Sequence, residues 1–99
     1  MDIDVKELKT KLDAKETFIF IDVREPYEYE EFNLNAKLIP LGNLVAEIPS
    51  LRGSENEEIV VHCRSGQRSG IAQKVLMQSG FTNVRNLLGG VLAWQEAGY

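Results

Sequence analysis

The stretch Glu58-Ile59-Val60-Val61-His62-Cys63-Arg64-Ser65-Gly66-Gln67-Arg68-Ser69 runs from an apolar segment through a short polar loop toward a helix-like segment. Ile59-Val60-Val61 is apolar on both faces, the pattern of a strand in the middle of a parallel sheet. Beyond the loop, Ile71, Ala72, Val75, Leu76 and Ser79 mark the inner face of a helix that is predicted to start near Ser69 and end at Gly80. Strand, tight loop and helix make a βα unit. In an open parallel sheet, ligands bind beyond the C-terminal ends of the strands, and the chain's one cysteine, Cys63, follows such an end directly.

The flanking sequence repeats this alternation. Val5, Leu8 and Leu12 recur at helical spacing and predict an amphipathic helix over residues 4–14, its apolar stripe resting on a sheet. Phe18 to Ile21 is a second run apolar on both faces and reads as a central strand ending in Asp22-Val23-Arg24. Pro26 suits the first turn of a helix reaching to Phe32. Ala36 to Ile39 is a brief apolar segment closed by Pro40, Leu44 to Ile48 a short helix stopped at Pro49, and residues 50–57 a polar turn. Phe81 to Leu87 reads as another short strand, and Gly89-Gly90 opens a last helix carrying Leu92, Ala93 and Trp94. Strands alternating with helices predict a mostly parallel sheet covered on both faces.

Composition narrows the function classes. A chain of 99 residues suits one domain spanning residues 1–99, and 43% hydrophobic with 26% charged residues is ordinary for a soluble globular protein. No apolar run approaches the roughly 18–20 residues of a membrane span, and Met1-Asp2-Ile3-Asp4 is not the start of a signal sequence, so the expected location is the cytoplasm, with no membrane partner. One cysteine excludes an internal disulfide, and one histidine beside it makes a structural metal site unexpected; no cofactor is implied. A formal net charge of -4 argues against a nucleic-acid partner.

Cys63 is the chain's strongest nucleophile. The free N–H groups and positive dipole end of the following helix point back toward its sulfur, and Arg64 and Arg68 flank it; each favours a thiolate. Ser65-Gly66 gives a backbone permissive enough for successive N–H groups to converge into an anion-binding nest. A cysteine buried merely as a small hydrophobe would not require two arginines and a glycine in the next five positions. Ser65 and Ser69 are candidate hydrogen-bond donors to sulfur, Ser69 equally a helix cap. Successive strand residues face opposite ways, so His62 is read as packing behind the loop rather than as a general base.

The loop from His62 to Ser69 resembles the active loop of single-domain rhodanese-like sulfurtransferases. Two further segments carry the resemblance: Ile21-Asp22-Val23-Arg24-Glu25-Pro26-Tyr27-Glu28-Tyr29 is similar to the family's Asp-Val-Arg-Glu signature, and Leu88-Gly89-Gly90-Val91-Leu92-Ala93-Trp94 to its Gly-Gly-x-x-x-Trp element. Ile39-Pro40-Leu41 matches the segment before the family's third helix. The family's Gly-His-Ile-x-Gly-Ala segment is replaced by Glu31-Phe32-Asn33-Leu34-Asn35-Ala36-Lys37-Leu38, variation in a connecting loop.

The resemblance implies a three-layer α/β/α domain with a five-stranded, mostly parallel sheet. It also implies a cysteine that accepts a sulfane sulfur as a persulfide and passes it to an external thiol or cyanide. Carried over, Cys63 is the nucleophile, and the N–H groups of residues 64–68 (Arg64, Ser65, Gly66, Gln67, Arg68) cradle the persulfide. Arg64 and Arg68 attract a small anionic donor such as thiosulfate or polysulfide. Asp22 and Arg24 brace neighbouring loops, Ser69 supports the sulfur, and Trp94 fills the core. Two alternatives stay open: a carrier module passing persulfide sulfur to a protein thiol, and a cysteine-dependent phosphatase or arsenate reductase. The latter enzymes need Cys-x5-Arg to enclose a tetrahedral phosphate, whereas Cys63 and Arg68 are separated by four residues.

Overall fold

Strand β3 (Ile59–His62), buried at every position, lies inside a four-stranded parallel sheet together with β1 (Ile19–Asp22), β2 (Lys37–Leu38) and β4 (Val84–Asn86). The computed structural model describes residues 1–99. The strand order is β2-β1-β3-β4, and Ile21 pairs with Val61 and Asp22 with His62. The acidic, basic and sulfur-bearing residues of the first and second apolar runs therefore leave the sheet side by side at one end.

Alternation along β3 divides the core. Ile59 and Val61 join Ile21, Leu76 and Phe81 on one face, beneath α3 (Leu44–Leu51) and α4 (Gln67–Gln78). Val60 points the other way and packs with Ile3, Leu8, Leu87 and Trp94 beneath α1 (Val5–Asp13) and α5 (Gly90–Glu96). Helix α2 (Pro26–Glu31) follows β1 and carries a reciprocal cap between Glu25 and Glu28. No helix is long and apolar enough to cross a membrane.

The expected fifth strand is reduced to a single bridge, Ile3 to Leu87. Ile3 makes strand-like bonds to the Asn86 carbonyl (3.0 Å) and from the Leu88 N–H (2.9 Å). The next residue, Asp4, already caps α1 by accepting from the Glu7 N–H at 2.8 Å, so the chain leaves the sheet after one residue. Helix α3 runs through Pro49 instead of stopping there. Proline removes the bond to the carbonyl four residues back, that of Val45, but Val45 is exposed, where water can satisfy its carbonyl, and burial of Leu51 draws the chain round another turn. The last strand begins at Val84 rather than Phe81, whose ring belongs to the core. Ile71, expected on the inner face of α4, is 53% exposed; Ala72 and Leu76 carry the burial there.

Leu76 is fully buried at the centre of the α3/α4 face. Leu76→Ala is expected to cost about 2–5 kcal/mol, read as a lowered urea midpoint with unchanged m-value.

Candidate active site

Cys63 comes immediately after β3 and is 1% exposed. The chain then reverses through Gly66, whose φ of 102° is readily available only to glycine, and the Gly70 N–H bonds the Gly66 carbonyl at 3.0 Å to close the first turn of α4. The helix thus begins at Gln67, two residues before the predicted start, and Ser69 lies within its first turn rather than at its cap. This places the N–H groups of Gly66 and Ser69 on the sulfur, at 3.1 Å and 3.4 Å. The Ser69 hydroxyl lies 3.3 Å from the same atom.

The loop is also held from outside. The N–H groups of Val91 and Leu92, in the first turn of α5, bond the carbonyls of Cys63 and Arg64 at 3.0 Å each. With these carbonyls turned toward α5, the loop's N–H groups are left to face the sulfur. Gly90 makes the contact possible: its φ is positive, and a Cβ there would stand 2.5 Å from the Cys63 carbonyl oxygen and 2.6 Å from the Arg64 carbonyl. The Asn86 side chain donates to the Gly66 carbonyl at 3.1 Å and accepts from the Ser69 hydroxyl at 2.5 Å.

Burial pushes the Cys63 thiol up, but hydrogen bonds from the Ser69 hydroxyl and from the N–H groups of Ser69, Gly66 and Ser65 outweigh it and hold the thiol below its ordinary value. Of the two expected sources, the N–H groups at the start of the helix and the arginine pair, the first accounts for the effect together with the Ser69 hydroxyl, and neither arginine is among its main causes. Arg68 is engaged by Glu28 through two contacts of 2.7 and 2.9 Å. The same bond lowers the Glu28 carboxyl to about 2. Arg64 is exposed and makes no ion pair; Ser65 and Gln67 are exposed beside it.

Behind the loop, the fully buried Asp22 carboxylate accepts the Arg24 guanidinium at 2.8–3.1 Å, and Arg24 also donates to the Phe32 carbonyl at 2.7 Å. This ties the end of β1 to the far end of α2. His62 lies on the opposite face of the sheet from the Ile59 and Val61 side chains, its ring 5.3 Å from that of Phe20. Burial pushes its pKa down, leaving a neutral imidazole with Nε2 3.6 Å from Asp22. A cavity of about 320 Å³ opens beside the loop, lined by Arg24, Tyr27, Glu28, Arg64, Leu92 and Gln95 among others.

Of the residues expected at the site, the structure brings together Cys63, Gly66 and Ser69 around the sulfur. It leaves Arg64, Ser65 and Gln67 on the rim, Arg68 in an ion pair, and Asp22 and Arg24 in a buried brace. Asn86, Glu28 and Gly90 were not predicted as part of it. The double glycine before α5 carried a signal for Gly90, while Asn86 and Glu28 are ordinary polar residues in their segments and become visible only once β4 and α2 are placed beside the loop.

The family described as Rhodanese-like domain matches residues 4–97. The chain belongs to the rhodanese-like domain family. This rhodanese-like domain is 35% identical over 103 residues to a protein named sulfurtransferase from Allochromatium vinosum, covering 98% of this chain and 90% of that one. It is also 35% identical over 94 residues to the putative sulfur carrier protein YrkF of Bacillus subtilis, where it covers 94% of this chain but 50% of the relative. Among solved structures it is similar to a rhodanese-related protein from Thermoplasma volcanium, with a TM-score of 0.82, 30% identity, and 99% and 93% of the two chains covered.

Two measurements test this geometry. Gly90→Ala is expected to lower stability by at least about 2 kcal/mol through strain and collision, whereas Gly42→Ala, with nothing within 4 Å of the new Cβ, should leave the thermal midpoint nearly unchanged. Glu28, lowered from 4.5 to about 2, favours the fold above pH 4.5, and that contribution is lost as pH falls toward 2. The stability gap between wild type and Glu28→Gln should therefore narrow across this interval in urea titrations.

Proposed function

We propose that this rhodanese-like domain is a sulfurtransferase that moves a sulfane sulfur from a small anionic donor, thiosulfate or a polysulfide, through a Cys63 persulfide. The observation that carries the reading is the convergence of the Gly66 and Ser69 N–H groups and the Ser69 hydroxyl on one buried sulfur. A cradle of this kind stabilises negative charge on the attacking thiolate and on a persulfide alike, and its two N–H donors are fixed by the backbone before reaction begins.

In the first half-reaction the Cys63 thiolate attacks the outer sulfur of thiosulfate. The new Sγ–S bond forms as the donor's S–S bond breaks, and the electron pair leaves on sulfite. In the second, an acceptor thiolate attacks the outer sulfur of the persulfide, forming its own S–S bond and returning Cys63 as thiolate; cyanide in the same role leaves as thiocyanate. Chemistry in two halves predicts ping-pong kinetics. Arg64, exposed and unpaired, is the first charge an incoming anion meets, and Arg68 adds to the field as far as its pairing with Glu28 allows. Asp22 and Arg24 hold the surrounding segments in place.

A second reading makes the acceptor a protein thiol, so that the domain works as a persulfide carrier in the cytoplasm. It is supported by the Bacillus subtilis relative named as a sulfur carrier and by a Zea mays relative named adenylyltransferase and sulfurtransferase MOCS3-2, of which this chain spans 21%. The phosphatase or arsenate reductase reading is disfavoured by the occupation of both terminal guanidinium nitrogens of Arg68, which an oxyanion clamp needs free.

Intact-protein mass spectrometry tests the central claim. Wild type should gain one sulfur atom on exposure to thiosulfate or polysulfide and lose it to cyanide or a thiol, and Cys63→Ser should gain none. A wild type that takes up no sulfur but hydrolyses an aryl phosphate would overturn the reading. Arg64→Ala should raise the thiosulfate KM by roughly tenfold, the loss of one charge-assisted contact, with the melting midpoint unchanged.

A further inference from the structure

The Ser69 hydroxyl has one hydrogen and two claimants. It lies 2.5 Å from the Asn86 side-chain oxygen and 3.3 Å from the Cys63 sulfur. The orientation of the Asn86 amide is settled by its other end: the nitrogen donates to the Gly66 carbonyl at 3.1 Å, so the oxygen faces Ser69. An amide oxygen only accepts. At this separation the hydroxyl hydrogen must point at Asn86, which leaves an oxygen lone pair toward the sulfur. The resting arrangement is therefore a relay in which the Cys63 S–H donates to the Ser69 oxygen and the Ser69 O–H donates to Asn86.

A thiolate reverses the requirement. It has no hydrogen to give and needs the hydroxyl as a donor, and Ser69 can supply it only by rotating away from Asn86. Ser69 is fully buried and Asn86 nearly so, so no bulk water takes over the abandoned amide oxygen. We propose that Asn86 is a positioning residue that sets the protonation balance of Cys63 by competing with the sulfur for the Ser69 hydroxyl hydrogen. When the thiol ionises, its proton leaves to solvent and the hydroxyl turns toward the sulfur. Asn86 then loses its short bond, while its grip on the Gly66 carbonyl continues to hold the loop. The same turn of the hydroxyl would accompany each arrival and departure of negative charge on the sulfur. This inference rests on Cys63 being the reacting thiol, and not on the identity of donor or acceptor.

Because the chain has one cysteine, ultraviolet thiolate absorbance followed against pH reports Cys63 alone once the titration of the Cys63→Ser protein, which carries the same three tyrosines, is subtracted, and it needs neither an acceptor nor a donor. The four proteins of the cycle are wild type, Asn86→Ala, Ser69→Ala and the double variant, each checked for folding by circular dichroism. Ser69→Ala should raise the inflection, since a donor to the thiolate is lost. With Ser69 present, Asn86→Ala should displace the inflection lower, relative to its effect in the Ser69→Ala background, by about half to one pH unit, the worth of one ordinary hydrogen bond. Equal effects in the two backgrounds would mean that Asn86 acts on the loop alone, and would overturn the proposal. If Asn86→Ala fails to fold, Asn86→Asp keeps the size and offers a stronger acceptor. It should then raise the inflection more with Ser69 than without it, and an equal rise would again overturn the proposal. Equal effects in the two backgrounds in a protein that still takes up sulfur from thiosulfate would remove the competition while leaving the sulfurtransferase reading intact.

Discussion

Everything at the Cys63 loop depends on the two hydrogen bonds by which the N–H groups of Val91 and Leu92 hold the carbonyls of Cys63 and Arg64. A six-residue loop has as many carbonyls as N–H groups, and a sulfur that is to carry negative charge must see the latter. Unconstrained, the chain would expose either. Turning the first two carbonyls into the start of α5 leaves the opposite edge of the backbone, with the Gly66 and Ser69 N–H groups, facing the sulfur. The clasp requires two backbones in contact, which is why position 90 has no room for a Cβ. The carbonyls satisfied by α5 would otherwise be a cost of burying the loop.

Around this clasp the charged residues divide into two kinds. Asp22 and Arg24 are buried and satisfied by one another and by backbone carbonyls, so their contribution is geometric: the end of β1, the end of α2 and the end of β3 stay in register at the sheet's C-terminal edge. Arg64 and Arg68 lie nearer the surface and differ in freedom. Glu28 holds one of them in a paired fork while the other faces the cavity, so the local field is weaker and more one-sided than two arginines in the sequence suggest. The lowered pKa of the thiol consequently owes more to hydrogen bonds made at short range than to nearby cationic charge.

Much of this was legible from local pattern. The two runs apolar on both faces correspond to β1 and β3, because a strand covered by helices on both sides must be apolar at successive positions. Cys63 stood out because a lone thiol followed such a run, and Gly66 because a tight reversal needs a residue without a side chain. The limits of the reading were equally physical. The expected fifth strand shrank to Ile3 because Asp4 serves helix α1, and Pro49 failed to stop α3 because the burial of Leu51 outweighed the lost bond. In each case a neighbouring requirement overrode the local rule.

What the sequence determined by itself was the order of elements, the parallel sheet and the place of the cysteine, since periodicity, turn residues and a strand end are all properties of adjacent positions. Only the tertiary structure decided what holds the residues around the sulfur. Asn86 reaches Ser69 across 17 residues and Glu28 reaches Arg68 across 40, and neither pairing has a trace in local pattern. Hydrogen bonds are made between atoms a few ångströms apart whatever their separation along the chain. The long-range partners of the Cys63 carbonyl, the Ser69 hydroxyl and Arg68 therefore exist only after α5, β4 and α2 have packed against the loop.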